Sequence, residues 1–399
     1  MGQRVAIIGA GYAGMAAAVT LAQRGAKVIV LEAGPVPGGR ARRITAQGHT
    51  LDNGQHILIG AYGALLGLMR TVGVASDALL RMPLEIRYPG QFSMRGARLG
   101  LLLARGLPFS ERLGAVRFML AMRRARFRAA ADCTVDQLLH DYGQAGRIAH
   151  YLWRPLCISA LNTPSAQASA NVFLAVLRDT LAGGAHASDL LLPRVDLSRL
   201  FPEPAADFVR AHGGDMRYGT PVRDLGALRS QFDNIIVAVG PYHLKPLLPE
   251  AAPEYSYQPI YTCYLQYAEQ TRLAFPMLGM GDGLVQWVFD RGALLGEEGR
   301  LACVISAQGD HQQMAHEELA DICHRELRGI MPNLAAPRWT QVVAEKRATI
   351  SCTPGVKRPG VRTATARVFL AGDYTDPEYP PTLEAAVRSG IRAADEILS

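Results

Sequence analysis

Three glycines near the start of the chain, Gly9, Gly11 and Gly14, stand at the spacing G-x-G-x-x-G. A loop of this kind is suited to holding a pyrophosphate. The first glycine permits a tight strand-to-helix turn, the second lets backbone approach the phosphates, and the third lets helix pack on strand. The free N–H groups and positive dipole end of the following helix then face the phosphate charge. In a chain with 40 glycines the motif alone is weak. Here an apolar run, Arg4–Ile8, precedes it and an alanine-rich helix follows to about Arg24. Gly25 can close that helix. A second apolar run, Lys27–Leu31, ends at Glu32, 21 residues after Gly11. An acid at that distance binds a ribose hydroxyl, and its charge selects an adenosine ribose without a 2′-phosphate.

NAD and FAD both satisfy this unit, and later residues separate them. Gly38-Gly39-Arg40, with Arg42 close behind, can bring backbone and guanidinium to a second phosphate oxygen. Asp52-Asn53-Gly54-Gln55-His56 follows one short segment later. Far along the chain, the apolar run 367–371 ends at Gly372-Asp373, and Pro380-Pro381-Thr382-Leu383 opens a helix. The Asp373 carboxylate can meet a ribityl hydroxyl. The helix start can point N–H groups at the pyrimidine edge of a flavin, where the reduced ring carries negative charge.

The elements that must position these residues are scattered. A chain of 399 residues suggests two or three domains, and 49% hydrophobic with 19% charged residues excludes a disordered chain. Apolar runs of the parallel-strand type occur at the N-terminus, at 234–239 and at 367–371. Residues 213–225 read as a tight hairpin, 60 to about 200 as mostly helical, 259–308 as short β runs, and 315–330 as a helix. The fold class is therefore α/β: a Rossmann-like nucleotide domain of glutathione-reductase type assembled from 1–80, 195–250 and 345–399. The segments 81–194 and 251–344 form an α+β substrate domain.

This combination resembles the FAD-dependent amine oxidase and phytoene desaturase superfamily, across essentially the whole chain. Within it the chain most resembles the hydroxysqualene dehydroxylases, or squalene-associated FAD-dependent desaturases. LDNGQHILIGAY (51–62) and AGDYTDPEYPPTLEAAVRSG (371–390) carry the likeness, supported by RPLCISALNTP (154–164) and LLPRVDLSRLFPEPAA (191–206). The resemblance implies FAD held by Gly9, Gly11, Ala13, Gly14, Glu32, Ala33, Gly39 and Arg40. Val222 would meet the adenine through its backbone. Gly54, Gln55, Gly240, Gly372, Asp373, Thr382 and Leu383 would meet the remaining cofactor. Amine oxidases hold a lysine by the flavin; of the four lysines here only Lys346 lies in a suitable region, and AEKRATI is equally what a strand beside the flavin domain would show.

The resemblance also implies a long isoprenoid alcohol, hydroxysqualene, losing its allylic hydroxyl to give squalene on the route to hopanoids. That chemistry needs a proton for the leaving hydroxyl, a dry apolar cavity, and hydride from reduced flavin. Candidate acids are Asp52, His56, Asp373 and Tyr379, with His56 suited to titration near neutrality. Asp52 can instead cap its turn, and Asp373 can be occupied by the ribityl chain. Phe173, Leu174, Val176, Leu177, Trp153, Leu156 and Leu161 are candidates for the tunnel, as are Trp287, Val288 and Phe289, with core packing the alternative for each. Two other readings share the fold: a carotenoid-type desaturase running hydride the other way, and a non-redox prenyl-lipid carrier of the Rab escort type. The sequence does not name the external reductant of the FAD.

Cys133, Cys157, Cys263, Cys303, Cys323 and Cys352 form no C-x-x-C pair, so no metal site is expected and free buried thiols in a reducing compartment are. The uncharged run 5–22 has a signal-peptide outline, but the glycine motif accounts for it better. The net charge of +7 is concentrated. Residues 95–128 hold nine arginines (95, 98, 105, 112, 117, 123, 124, 126 and 128) and one acid, Glu111. Leu101–Leu103, Leu107, Phe109, Val116, Phe118, Met119, Leu120 and Phe127 are interleaved. This reads as a membrane-surface contact, and no nucleic-acid motif accompanies it. The expected location is cytoplasmic, peripheral on the inner face of the cell membrane.

Overall fold

The structure, a computed structural model, describes residues 3–97 and 99–399. Five short parallel strands form one sheet, in the order Asp215–Arg217, Lys27–Leu31, Arg4–Ile8, Asn234–Val237 and Val368–Leu370. Four of them are largely apolar because both faces are covered, while the edge strand Asp215–Arg217 buries only Met216. Val5 and Ile7 face the helices, while Ala6 and Ile8 face Leu225, Phe232, Leu244 and Leu248. The 213–225 segment is not a hairpin. Only Asp215–Arg217 is extended, pairing with Lys27–Leu31 as a parallel edge. The glycines flanking it mark the ends of one strand, and a parallel edge strand needs no returning partner.

The first helix, Tyr12–Gln23, is buried almost throughout. It lies between the sheet and the helices Pro202–Ala211 and Leu383–Leu398. Its alanines are what allow this. A Cβ added at Gly390 of the last helix would stand 2.1 Å from the Ala13 carbonyl oxygen and 2.9 Å from the Ala17 nitrogen.

A second, antiparallel sheet runs Met277–Gly279, Trp287–Asp290, Arg300–Ser306, Tyr257–Gln266 and Trp339–Ile350. Beyond a bulge at Gln258–Ile260 the alternation along Tyr257–Gln266 is regular. Tyr261, Cys263 and Leu265 pack on Leu319, Cys323 and Leu327 of the helix His316–Ile330. Ile260 and Tyr264 take the other face, turned toward the first half of the molecule.

The 60–200 region is less helical than its sequence suggests. Short strands fall between the helices Gly63–Thr71 and Phe109–Arg124, and again after the helical run Phe109–Arg124, Val135–Asp141, Arg154–Leu161 and Ala170–Thr180. Leu58–Ile59, Leu190–Pro193 and Leu79–Met82 form a sheet that crosses the expected boundaries at 80 and 195. Phe173, Leu174, Leu177, Trp153 and Leu161 are core residues, buried among one another. Among the described residues no helix is long and apolar enough to cross a membrane.

Candidate functional site

A cavity of about 700 Å³ runs from the glycine loop to the inward face of the antiparallel sheet, within the range of sites that enclose a small-molecule ligand. Gly9, Gly11, Ala13, Glu32, Ala33, Gly39, Arg40 and Val222 lie on its walls. So do Gly54, Gln55, His56, Gly240, Gly372, Asp373, Thr382 and Leu383. Gly14 stands behind the wall: a Cβ there would sit 1.9 Å from the Gly9 carbonyl oxygen, so it lets the first helix close on its strand.

Local structure explains the placement. Gly9, at φ +101°, turns the chain where any side chain would strike Ala238. Glu32 is held by the backbone N–H groups of Ala10 and Gly34, both donating at 2.7 Å. Thr382 accepts the Ala385 N–H and caps the last helix, whose start borders the cavity. The buried Glu384 carboxylate accepts the N–H groups of Ala64 and Leu65, fastening the helix Gly63–Thr71 to the last one.

Arg40 and Asp373 were expected on a phosphate and a ribityl hydroxyl respectively. In the structure they hold each other. Arg40 Nη2 donates to both Asp373 oxygens at 2.8 Å, and Nη1 to the Ala348 carbonyl at 2.5 Å. Burial works to lower the guanidinium, but the charge and hydrogen bond of Asp373, together with Tyr242 and Glu345, raise it and keep it protonated.

The catalytic expectations need correction. Asp52 is buried away from the cavity wall. Its Oδ1 accepts the Leu197 N–H at 2.9 Å and its Oδ2 accepts Arg291 Nη1 at 3.1 Å. It therefore neither caps its own turn nor serves as a cavity acid, and burial raises its carboxyl despite Arg291. Tyr379 is also buried off the wall, with the Arg388 guanidinium 4.6 Å from its ring, and burial raises its phenol. His56 does face the cavity, but burial lowers its imidazole to about 4, assisted by nearby Arg40. At neutral pH it is uncharged and holds no spare proton. Lys346 points outward from its strand, exposed. Of the tunnel candidates, Trp287 and Phe289 reach the wall, while Val288 faces the opposite side of the sheet.

Arg291 was missed. Almost wholly buried, it joins Asp52 and Gln55 to Glu297, which it meets at 2.6 and 2.8 Å. An arginine ending the apolar strand WVFD is the one trace it leaves in the sequence. Tyr62 and Ser159 on the wall were missed too.

The cavity fits a flavin dinucleotide on its own evidence. Gly39 faces Gly11 so closely that a Cβ on Gly39 would lie 3.2 Å from the Gly11 Cα, keeping a side-chain-free channel at the phosphate end. The Tyr374 hydroxyl is buried on a cavity-lining residue and has no hydrogen-bond partner among the described residues. Among those residues no His, Cys, Asp or Glu side chains gather as a metal site.

Fold and site together define a flavin-dependent oxidoreductase. A profile described as flavin containing amine oxidoreductase matches residues 12–398. A redesigned putrescine oxidase has a similar fold (TM-score 0.74, 18% identity, 100% of this chain and 99% of the other). So does cyclohexylamine oxidase from Brevibacterium oxydans (TM-score 0.68, 17% identity, 100% and 99%). Hydroxysqualene dehydroxylases from Rhodopseudomonas palustris and Sinorhizobium fredii are each 31% identical, aligned over 100% of this chain and 99% of theirs. A zeta-carotene desaturase from Synechocystis is 23% identical over 99% of this chain and 97% of its own. The chain belongs to the flavin containing amine oxidoreductase family, on its hydroxysqualene dehydroxylase branch. Its cofactor is FAD.

Proposed function

We propose that the protein reductively removes the allylic hydroxyl of hydroxysqualene, giving squalene. The observation that carries this is the far wall of the cavity. Ile260, Trp287, Phe289, Val304 and Val343 make it apolar, which suits a long hydrocarbon and excludes water. Reduced FAD, when bound, supplies hydride. Gly9, Gly11, Gly39 and Val222 would hold its dinucleotide end, with Glu32 on the ribose. The Arg40–Asp373 pair and the helix start at Thr382 would meet the ribityl and ring portions. Neutral His56 can accept a hydrogen bond and orient a hydroxyl, without delivering a proton.

The test is anaerobic incubation of the protein with reduced FAD and hydroxysqualene. Squalene should form stoichiometrically with flavin oxidation. Formation of new double bonds with oxidised FAD would instead favour a desaturase, and a purified protein without the flavin absorbance band would favour a lipid carrier.

The substrate's insolubility points to a lipid surface as its source, and segment 95–128 is the favoured contact. Leu99, Leu103 and Phe109 are 66%, 70% and 65% exposed, with Leu102 and Leu120 also outward. Leu101, Leu107, Phe118 and Phe127 of the same segment turn into the core. Arg105, Arg117, Arg123, Arg124 and Arg126 are exposed and form no ion pair among the described residues; Arg98 lies outside them. A peripheral position on an anionic inner membrane face follows from this reading.

A further inference from the structure

Dehydroxylation has a difficulty that the apolar wall alone makes worse. The C–O bond breaks with both electrons leaving on oxygen, which takes a proton and departs as water. The allylic carbon is left cationic until a hydride fills it; reduced FAD, when bound, would supply that hydride and release the proton that balances the one taken up by the oxygen, so the alcohol is reduced and the flavin oxidised. A hydrocarbon wall does not solvate that charge. Of the carboxylates nearby, Asp52 is engaged by Arg291 away from the cavity and Asp373 by Arg40, while Glu345 on the wall accepts the Asn53 side-chain amide and the Arg347 backbone N–H.

We propose that the indole of Trp287 stabilises this cationic carbon through its π face and is a catalytic residue of the reaction. This rests on the dehydroxylation reading above. Trp287 borders the cavity and is 8% exposed. Its Nε1 donates to Ser159 Oγ at 2.8 Å, so the indole N–H is satisfied and the ring cannot rotate freely. Behind it stands Tyr88, 5.8 Å away between ring centres, itself set edge-on to Tyr151 at 5.2 Å. Gly279, paired directly across from Trp287, makes room for Tyr88: a Cβ there would lie 2.5 Å from the tyrosine ring. The sequence thus supplies a glycine, a hydrogen-bonding serine and a backing tyrosine to hold one indole against the cavity. Tryptophan is also the strongest aromatic partner for a cation, and the interaction grows when water is excluded.

The test uses the FAD-loaded protein with Trp287→Phe and Trp287→Leu. Binding is measured for squalene and for an aza-analogue carrying a protonated tertiary amine in place of the allylic carbon. The leucine variant should lose about tenfold in affinity for the ammonium relative to squalene, and the phenylalanine variant should keep most of it. Turnover number should fall in the same order, with KM little changed and the flavin absorbance band retained. Equal loss of amine and squalene binding would reduce Trp287 to packing and overturn the inference, as would no loss in either variant. Failure of the dehydroxylation reading shows separately, as absence of squalene formation by the wild-type protein.

Discussion

His56 and Asp52 are four residues apart, and their neighbours give them unrelated chemistry. Burial near Arg40 takes the imidazole down to about 4, so a rate that depended on its proton would fall tenfold per pH unit from about pH 5 upward. The expected pH–rate profile is instead flat between pH 6 and 8, and a limb near 6.5 that vanishes in His56→Gln would contradict this. Stability carries the same sign. The folded pKa lies below the unfolded value, so the unfolded chain takes up the proton first and stability is lost as pH falls from about 6.5 to 4. His56→Gln should therefore melt with a shallower acid dependence than wild type over that window. For Asp52 the partner is 239 residues away. Removing the cation, as in Arg291→Met, leaves the buried Asp52 without one, while the half-buried Glu297 keeps Arg300. That change should cost about 3 kcal/mol in urea unfolding, with the flavin band retained in the folded fraction. The glycine loop, Glu32 and Gly372-Asp373 were legible because each is a local pattern. Arg291 was not, because nothing near it in the chain announces its partners.

Elements were legible in proportion to length and periodicity. Four of the five parallel strands stood out as apolar runs and the last helix by its proline-threonine start. The strands Leu58–Ile59 and Leu79–Met82 were lost, since two to four residues show no period. The hairpin expected at 213–225 failed for a related reason: turn glycines report where a strand ends, not which direction its partner runs. What the sequence does show, once the fold is known, is why the first helix is so rich in alanine. It must pass within backbone distance of Gly390 on one side while its N-terminus serves the cavity on the other. Gly390→Ala should accordingly destabilise the protein by about 1–3 kcal/mol and weaken FAD binding, because the clash falls on Ala13, a cavity residue. Isothermal titration of the apoprotein with FAD, set beside thermal melting, measures both effects. An unchanged FAD affinity would mean the two helices can part without moving the loop.

At the scale of the whole molecule, the charge of +7 is concentrated on one surface. The segment 95–128 carries the excess, and the structure adds what composition could not: which of its apolar residues are outward. Roughly half of those interleaved with the arginines serve the core, so the sequence pattern overstated the apolar face. Leu99, Leu102, Leu103 and Phe109 remain outward around a helix start, with arginines along the helix behind them. The two components should separate in vesicle co-sedimentation. Leu103→Ser with Phe109→Ser should weaken binding to neutral and anionic vesicles alike, since it removes inserted surface. Reversing Arg123, Arg124 and Arg126 to Glu should spare neutral vesicles and cut binding to anionic ones by at least about tenfold, each arginine near such a surface contributing about 1 kcal/mol. Raising salt should reproduce the second effect in the wild type and leave the first untouched, because screening acts on charge and not on buried apolar area. If both variants sediment with anionic vesicles as wild type does, the patch is no membrane contact, and the substrate must reach the cavity from water or from a carrier.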